Sequence, residues 1–151
     1  MSKNNQTKRI GLASDHAGFR LKAYLKARLE TEGYNVKDFG CNSTDSCDYP
    51  DYAHPMADAL ENGEIDVAFS MCGSGNGINM VVNKHQGIRS ALCWNKEIAE
   101  LARAHNDANI CALPGRFISP VIAWQICQIF LNTEFDGGRH KRRIDKIPLI
   151  K

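Results

Sequence analysis

Apolar residues along this chain fall into short blocks separated by segments of helical spacing. Residues 9–13, 35–39, 65–71, 87–92 and 109–113 are five brief runs of strand length with an apolar bias. Between them the period lengthens. Leu21, Tyr24, Leu25, Arg28 and Leu29 recur at helical spacing, and Gly33 supplies a stop. A second helical segment covers 53–60 and ends near Gly63, and a third covers 77–84. Ile98, Leu101, Ala102 and His105 mark one face of a fourth. Ser119-Pro120 opens the fifth, with serine as N-cap and proline at the first helical position; it runs through Trp124 and Ile126 to Leu131. Strands alternating with helices predict right-handed crossovers and a parallel sheet covered on both faces, an α/β fold. Segment 41–48 is polar and irregular and is expected as an exposed loop, and 1–7 as a disordered lead-in.

Composition narrows the class. The 151 residues, 43% hydrophobic and 24% charged, predict one domain over 1–151 with a full core. No run of about 18 apolar residues exists to span a membrane, and the polar start lacks a signal-peptide core. A net charge of +2 is too small for a general nucleic-acid binder. The cluster Arg139-His140-Lys141-Arg142-Arg143 lacks the interleaved aromatics of a nucleic-acid patch. None of the six cysteines forms a C-x-x-C pair, and Cys93, Cys111 and Cys127 sit in apolar runs as small core residues. Free thiols in a reducing cytoplasm are expected, with structural zinc the minor alternative.

The chemistry concentrates in Cys72-Gly73-Ser74-Gly75-Asn76-Gly77. A strand precedes this loop and a helix follows it, the arrangement in which backbone N–H groups and a helix N-terminus cradle an anion. The glycines match neither the phosphate-loop lysine pattern nor the dinucleotide pattern. Cys72 is read either as a small buried residue at a strand end or as a base whose thiolate the amides and helix dipole favour. Ser74 adds a hydroxyl.

Other candidates carry equally plain alternatives. Asp15-His16, at the turn after the first strand, suits sugar hydroxyls or proton transfer, but Asp15 also suits helix capping. His105-Asn106 closes the fourth helix, where a histidine is favoured by the dipole; on the apolar face its imidazole needs a partner. Arg139 and Arg143 share one face of a helix and, with Arg116, would clamp a phosphate through forked N–H groups; the alternative is a solvated basic tail. Asp15 and Cys72 lie at C-terminal strand ends, whereas His105 and Asn106 precede a strand. A symmetric dimer would bring the two groups together where one subunit would not.

Seven segments in this order resemble the ribose-5-phosphate isomerase B and galactose-6-phosphate isomerase family from about Lys8 to Asp145. They are Ser14-Asp15-His16-Ala17-Gly18-Phe19, Asp48-Tyr49-Pro50, Cys72-Gly73-Ser74-Gly75, Asn83-Lys84, Gly87-Ile88-Arg89, His105-Asn106-Asp107 and Gly137-Gly138-Arg139-His140. The resemblance implies a Rossmann-like three-layer α/β/α sandwich with a five-stranded parallel sheet, working as a homodimer or dimer of dimers. It implies aldose–ketose isomerisation of a phosphosugar without metal or cofactor, in the pentose phosphate pathway. It implies Cys72 as the base, Ser74 beside the reacting oxygens, and the amides of Gly73, Gly75, Asn76 and Gly77 around the enediolate. His105 would assist ring opening, and Asp15, His16 and Asn106 would hold sugar oxygens. Tyr49 would line the pocket, and Arg116, Arg139 and Arg143, drawn from both subunits, would take the phosphate. Some relatives replace the loop cysteine by a glutamate just after the second Gly-x-Gly, a place held here by Ile78. The expected substrate pair is ribose 5-phosphate and ribulose 5-phosphate. The runner-up is a phosphohexose, allose 6-phosphate or galactose 6-phosphate, and a non-catalytic sugar-phosphate sensor is the reading from another class.

Overall fold

Side chains of successive strand residues point to opposite faces of a sheet, and in this chain that alternation sorts the interior into two cores. The computed structural model describes residues 8–149; the expected lead-in at 1–7 lies outside the described residues. Strands β1 (Arg9–Ser14), β2 (Asn35–Asp38), β3 (Val67–Cys72), β4 (Ser90–Leu92) and β5 (Ile110–Pro114) form one five-stranded sheet, every pair parallel, in the order β2-β1-β3-β5-β4. Helices α1 (Phe19–Thr31), α2 (Pro50–Glu61), α3 (Asn76–Val82), α4 (Lys96–Ala104), α5 (Pro120–Asn132) and α6 (Arg139–Ile144) complete the described elements.

Ile10, Leu12, Val67, Phe69, Met71, Cys111 and Leu113 face α1, α4 and α5, where they meet Leu25, Leu29, Ala99, Trp124 and Phe130. Phe69 and Phe130 pack edge to face with ring centroids 5.6 Å apart. The opposite face is built from smaller residues. Ala13, Ala68, Cys72 and Ala112 join Ile110 there and receive Ala53, Met56 and Ala57 of α2 and Ile78 and Val82 of α3. The expected sandwich with helices on both faces is thus present. Cys93, Cys111 and Cys127 are wholly buried, and burial pushes the Cys111 and Cys127 thiols up, as befits core residues.

Two boundaries differ from the sequence expectation for local reasons. The fourth strand begins at Ser90 rather than 87, because the Gly87 N–H donates to Glu61 Oε2 and the Arg89 N–H to Asn109 Oδ1 instead of a ladder. The second helix starts at Pro50, not 53, since proline at the first position needs no hydrogen bond from its nitrogen. The basic cluster is itself a helix, α6, so Arg139 and Arg143 do share a face. The polar loop is exposed over 42–46, but its ends turn inward, with Cys41 buried and Cys47 half-buried.

Strand order reverses between β1 and β3, and in open parallel sheets ligands bind outside the carboxyl ends of strands at such a switch point. Ser14 pairs with Met71 across that junction, so Asp15 and Cys72 continue side by side beyond it.

Candidate active site

Cys72 ends β3 at 5% exposure, and the chain then turns through Gly73, Ser74 and Gly75 into α3. Gly75 caps this helix in the left-handed region at φ +80°. A Cβ there would stand 2.5 Å from Leu92 Cδ1 and 3.1 Å from the Leu113 carbonyl carbon, so both conformation and space demand glycine. Ser74 Oγ accepts from the Asn76 N–H at 3.2 Å, which fixes its hydroxyl at the mouth of the turn. The turn is backed from β5: the Gly115 N–H donates to the Cys72 carbonyl at 2.9 Å and the Arg116 N–H to the Gly73 carbonyl at 3.0 Å. The Arg116 guanidinium bends over the same place, since a Cβ on Gly73 would lie 3.3 Å from its Nη1. Tyr49, the residue before α2, lays its phenol against Gly77, where a Cβ would come within 2.5 Å of the hydroxyl oxygen.

Across the switch point Asp15 is 7% exposed, and its Oδ1 accepts from the Gly18 N–H at 3.0 Å, which closes the turn ahead of α1; the N-cap of that helix is Gly18 with no side-chain cap bond, so the capping role expected as the alternative is not realised. His16 Nδ1 accepts from the Cys47 N–H at 3.2 Å. That bond selects the tautomer with its proton on Nε2 and leaves that nitrogen as the donor. Cys47 was not marked by the sequence, because a cysteine in a polar loop carries no periodic signal. Its thiol is pushed up by burial and by a hydrogen bond with the Cys41 thiol.

Asp15, His16, Tyr49, Cys72, Ser74, the loop glycines, Asn76 and Arg116 therefore share the carboxyl end of the sheet. His105, Asn106, Arg139 and Arg143 do not. His105 caps the C-terminus of α4, just ahead of β5, and its ring stacks on His140 of α6 at 4.2 Å and 10°. That stacking gives the ring a packing neighbour from α6. Partial burial, then the neighbouring His105 and Arg139, pull the His140 imidazole below its ordinary pKa. The Asp136 N–H donates to the Ala104 carbonyl at 2.9 Å and holds the start of α6 to the end of α4. Arg89 Nε donates to the Asn106 carbonyl at 3.0 Å. This second cluster sits at the amino end of β5, about 16 Å of strand from the Cys72 end. The expected three-arginine clamp is accordingly divided within one chain, with Arg116 at one end and Arg139 and Arg143 at the other.

Both clusters fall within a match to the family described as Ribose/Galactose Isomerase, which covers residues 10–147. The chain is 38% identical to ribose-5-phosphate isomerase B of Escherichia coli, covering 95% of this chain and 97% of that one. A crystal structure of a ribose 5-phosphate isomerase from Thermotoga maritima superposes with a TM-score of 0.92 at 47% identity, covering 93% of this chain and 97% of that one. Ribose-5-phosphate isomerase B from Mycoplasma genitalium, solved with bound ribulose-5-phosphate, gives a TM-score of 0.88 at 42% identity, covering 92% of this chain and 93% of the other. Agreement of sequence over nearly the whole length with agreement of fold makes this chain a member of the ribose/galactose isomerase family.

Proposed function

We propose that this chain, acting as one catalytic domain over 1–151, interconverts ribose 5-phosphate and ribulose 5-phosphate through an enediolate. The observation that carries the reading is the setting of Cys72, buried at the end of β3 at the switch point and followed at once by the glycine turn into α3. The ribulose-5-phosphate complex of the Mycoplasma genitalium relative supports the substrate class. In the aldose-to-ketose direction the Cys72 thiolate removes the proton from C2. The C2–H electron pair becomes the enediolate double bond and the carbonyl oxygen takes the negative charge. The amides of Gly73, Gly75 and Gly77 receive that charge, joined by the Asn76 N–H once it leaves Ser74 Oγ, and Ser74 stands beside the two oxygens between which a proton must move. Return of the proton from Cys72 to C1 completes the exchange with no net oxidation and no cofactor. His16 Nε2–H and Asp15 hold sugar oxygens, and Tyr49 closes the wall against Gly77.

The second cluster belongs to the same reaction through a homodimer, or a dimer of dimers. His105 of one protomer opens the sugar ring over Cys72 of its partner. Asn106 binds a sugar oxygen, and Arg139 and Arg143 join Arg116 on the phosphate. Exposed Phe117, Met80 and Trp94 offer apolar surface for that association. All six thiols are free, which suits a reducing cytoplasm, and no helix among the described residues is long and apolar enough to cross a membrane.

The test is kcat/KM for ribose 5-phosphate beside allose 6-phosphate and galactose 6-phosphate, with EDTA present, for the natural chain and Cys72→Ala. Preference for the pentose with turnover lost in Cys72→Ala is expected. Preference for a hexose would keep the mechanism and change the substrate. Retained turnover in Cys72→Ala would overturn the base.

A further inference from the structure

Four side chains away from this site converge where the end of α2 meets the turn after α3. His54, Asp58 and Glu61 recur along α2 at the spacing that places them on one face. His85 comes up against that face. Its Nδ1 lies 3.1 Å from Glu61 Oε1 and 3.4 Å from Asp58 Oδ1, and the three ligand atoms all lie within 4.8 Å of one another. Its Nε2 lies 2.8 Å from His54 Nδ1. The other oxygen of Glu61 accepts from the Gly87 N–H at 2.8 Å, which orients the carboxylate.

Tetrahedral zinc with bonds of about 2.0–2.1 Å to nitrogen and oxygen holds its ligand atoms about 3.3 Å apart. The two separations around His85 Nδ1 bracket that value. When His85 Nε2–H donates its hydrogen bond to His54 Nδ1, the Nδ1 lone pair of His85 and two carboxylates face one point, and a cation satisfies all three acceptors together. One imidazole with two carboxylates is a borderline donor set that suits zinc, whereas magnesium takes six oxygens. We propose that His85 Nδ1, Asp58 and Glu61 form a zinc site with water in the fourth position, and that His54 fixes the His85 tautomer. The Asp58 side chain is 63% exposed and the His85 side chain 14%, so the ion reaches the site from solvent and meets a seated imidazole. Zinc there ties the C-terminal end of α2 to the segment between α3 and β4. The opposite ends of the same two helices carry Tyr49 and the Gly75 turn.

The experiment is calorimetric titration of zinc chloride into the EDTA-stripped full chain, with thermal melting in parallel. One equivalent is expected to bind and to raise Tm. His85→Ala and Asp58→Asn are expected to abolish that event, and His54→Ala to weaken it 10–100-fold, as loss of an outer partner does. Melting of the stripped variants shows that they are folded. Zinc binding unchanged in both His85→Ala and Asp58→Asn would overturn the site. So would absence of binding by the natural chain. A third contrary result is loss of binding only in His140→Ala, which would assign the ion to the His105, Asp136 and His140 group.

Discussion

Nδ1 of His16 accepts the backbone N–H of Cys47 at 3.2 Å, joining the turn after β1 to a loop 31 residues further along the chain. The bond ties a candidate sugar-binding side chain to the segment that leads into Tyr49. His16→Ala removes the acceptor without touching Cys72. Exchange of the Cys47 amide should then quicken, and KM for the phosphosugar should rise several-fold with a smaller change in kcat. Native-state hydrogen exchange with steady-state kinetics checks this, and an unchanged Cys47 amide would show that the loop is held by other contacts.

Separation of the two clusters makes a second prediction. Cys72→Ala and His105→Asn chains should each be inactive or slow alone on the cyclic sugar. Mixed before assembly, half the dimers are heterodimers, each with one intact site. Activity should return to roughly a quarter of the natural level. No recovery after dissociation and reassociation would place both residues in one protomer's reaction.

Lys22, although 1% exposed, is held by both carboxylate oxygens of Asp38 at 2.7 Å. Asp38 also accepts the Gly40 N–H at 2.9 Å, so the pair anchors the end of β2 to α1. Asp38→Asn leaves a buried ammonium without its counter-charge and should cost about 3 kcal/mol. Lys22→Met should cost less, because Asp38 keeps contact with water. Urea unfolding of both variants checks the order; equal losses would mean that geometry rather than charge sets the cost.

Much of the architecture was legible because burial and periodicity coincide. In β3 the run from Val67 to Cys72 is buried on both faces and appears as an apolar stretch interrupted only by Ser70. Ser119-Pro120 announced α5, and Ser119 Oγ does accept the Ile122 N–H. The ends of elements were less legible where side chains far along the chain capture the backbone, as Glu61 does at Gly87. The site was legible in its residue types and partly in its grouping: strand ends placed Asp15 beside Cys72, and His105 apart from both. The stacking of His105 on His140 and the return of Cys47 to His16 were not legible, because both join loops or short helices whose approach depends on the completed sheet. The same holds for His85 against α2, although His54, Asp58 and Glu61 carried a readable spacing.

Small residues on the face of the sheet beneath α2 and α3 have a consequence for how this enzyme can change. Ala13, Ala68, Cys72 and Ala112 hold sheet and helices close beside Ile65, Ile88 and Ile110, and little compressible volume lies between them. A methylene added at Ala68 or Ala112 would displace α3 as a body and carry the Gly75 turn with it. Variation that enlarges the interior is therefore filtered by turnover before it is filtered by unfolding. The opposite face, padded by Phe69, Phe130 and Leu25, is where the protein can drift in sequence without moving the Gly75 turn.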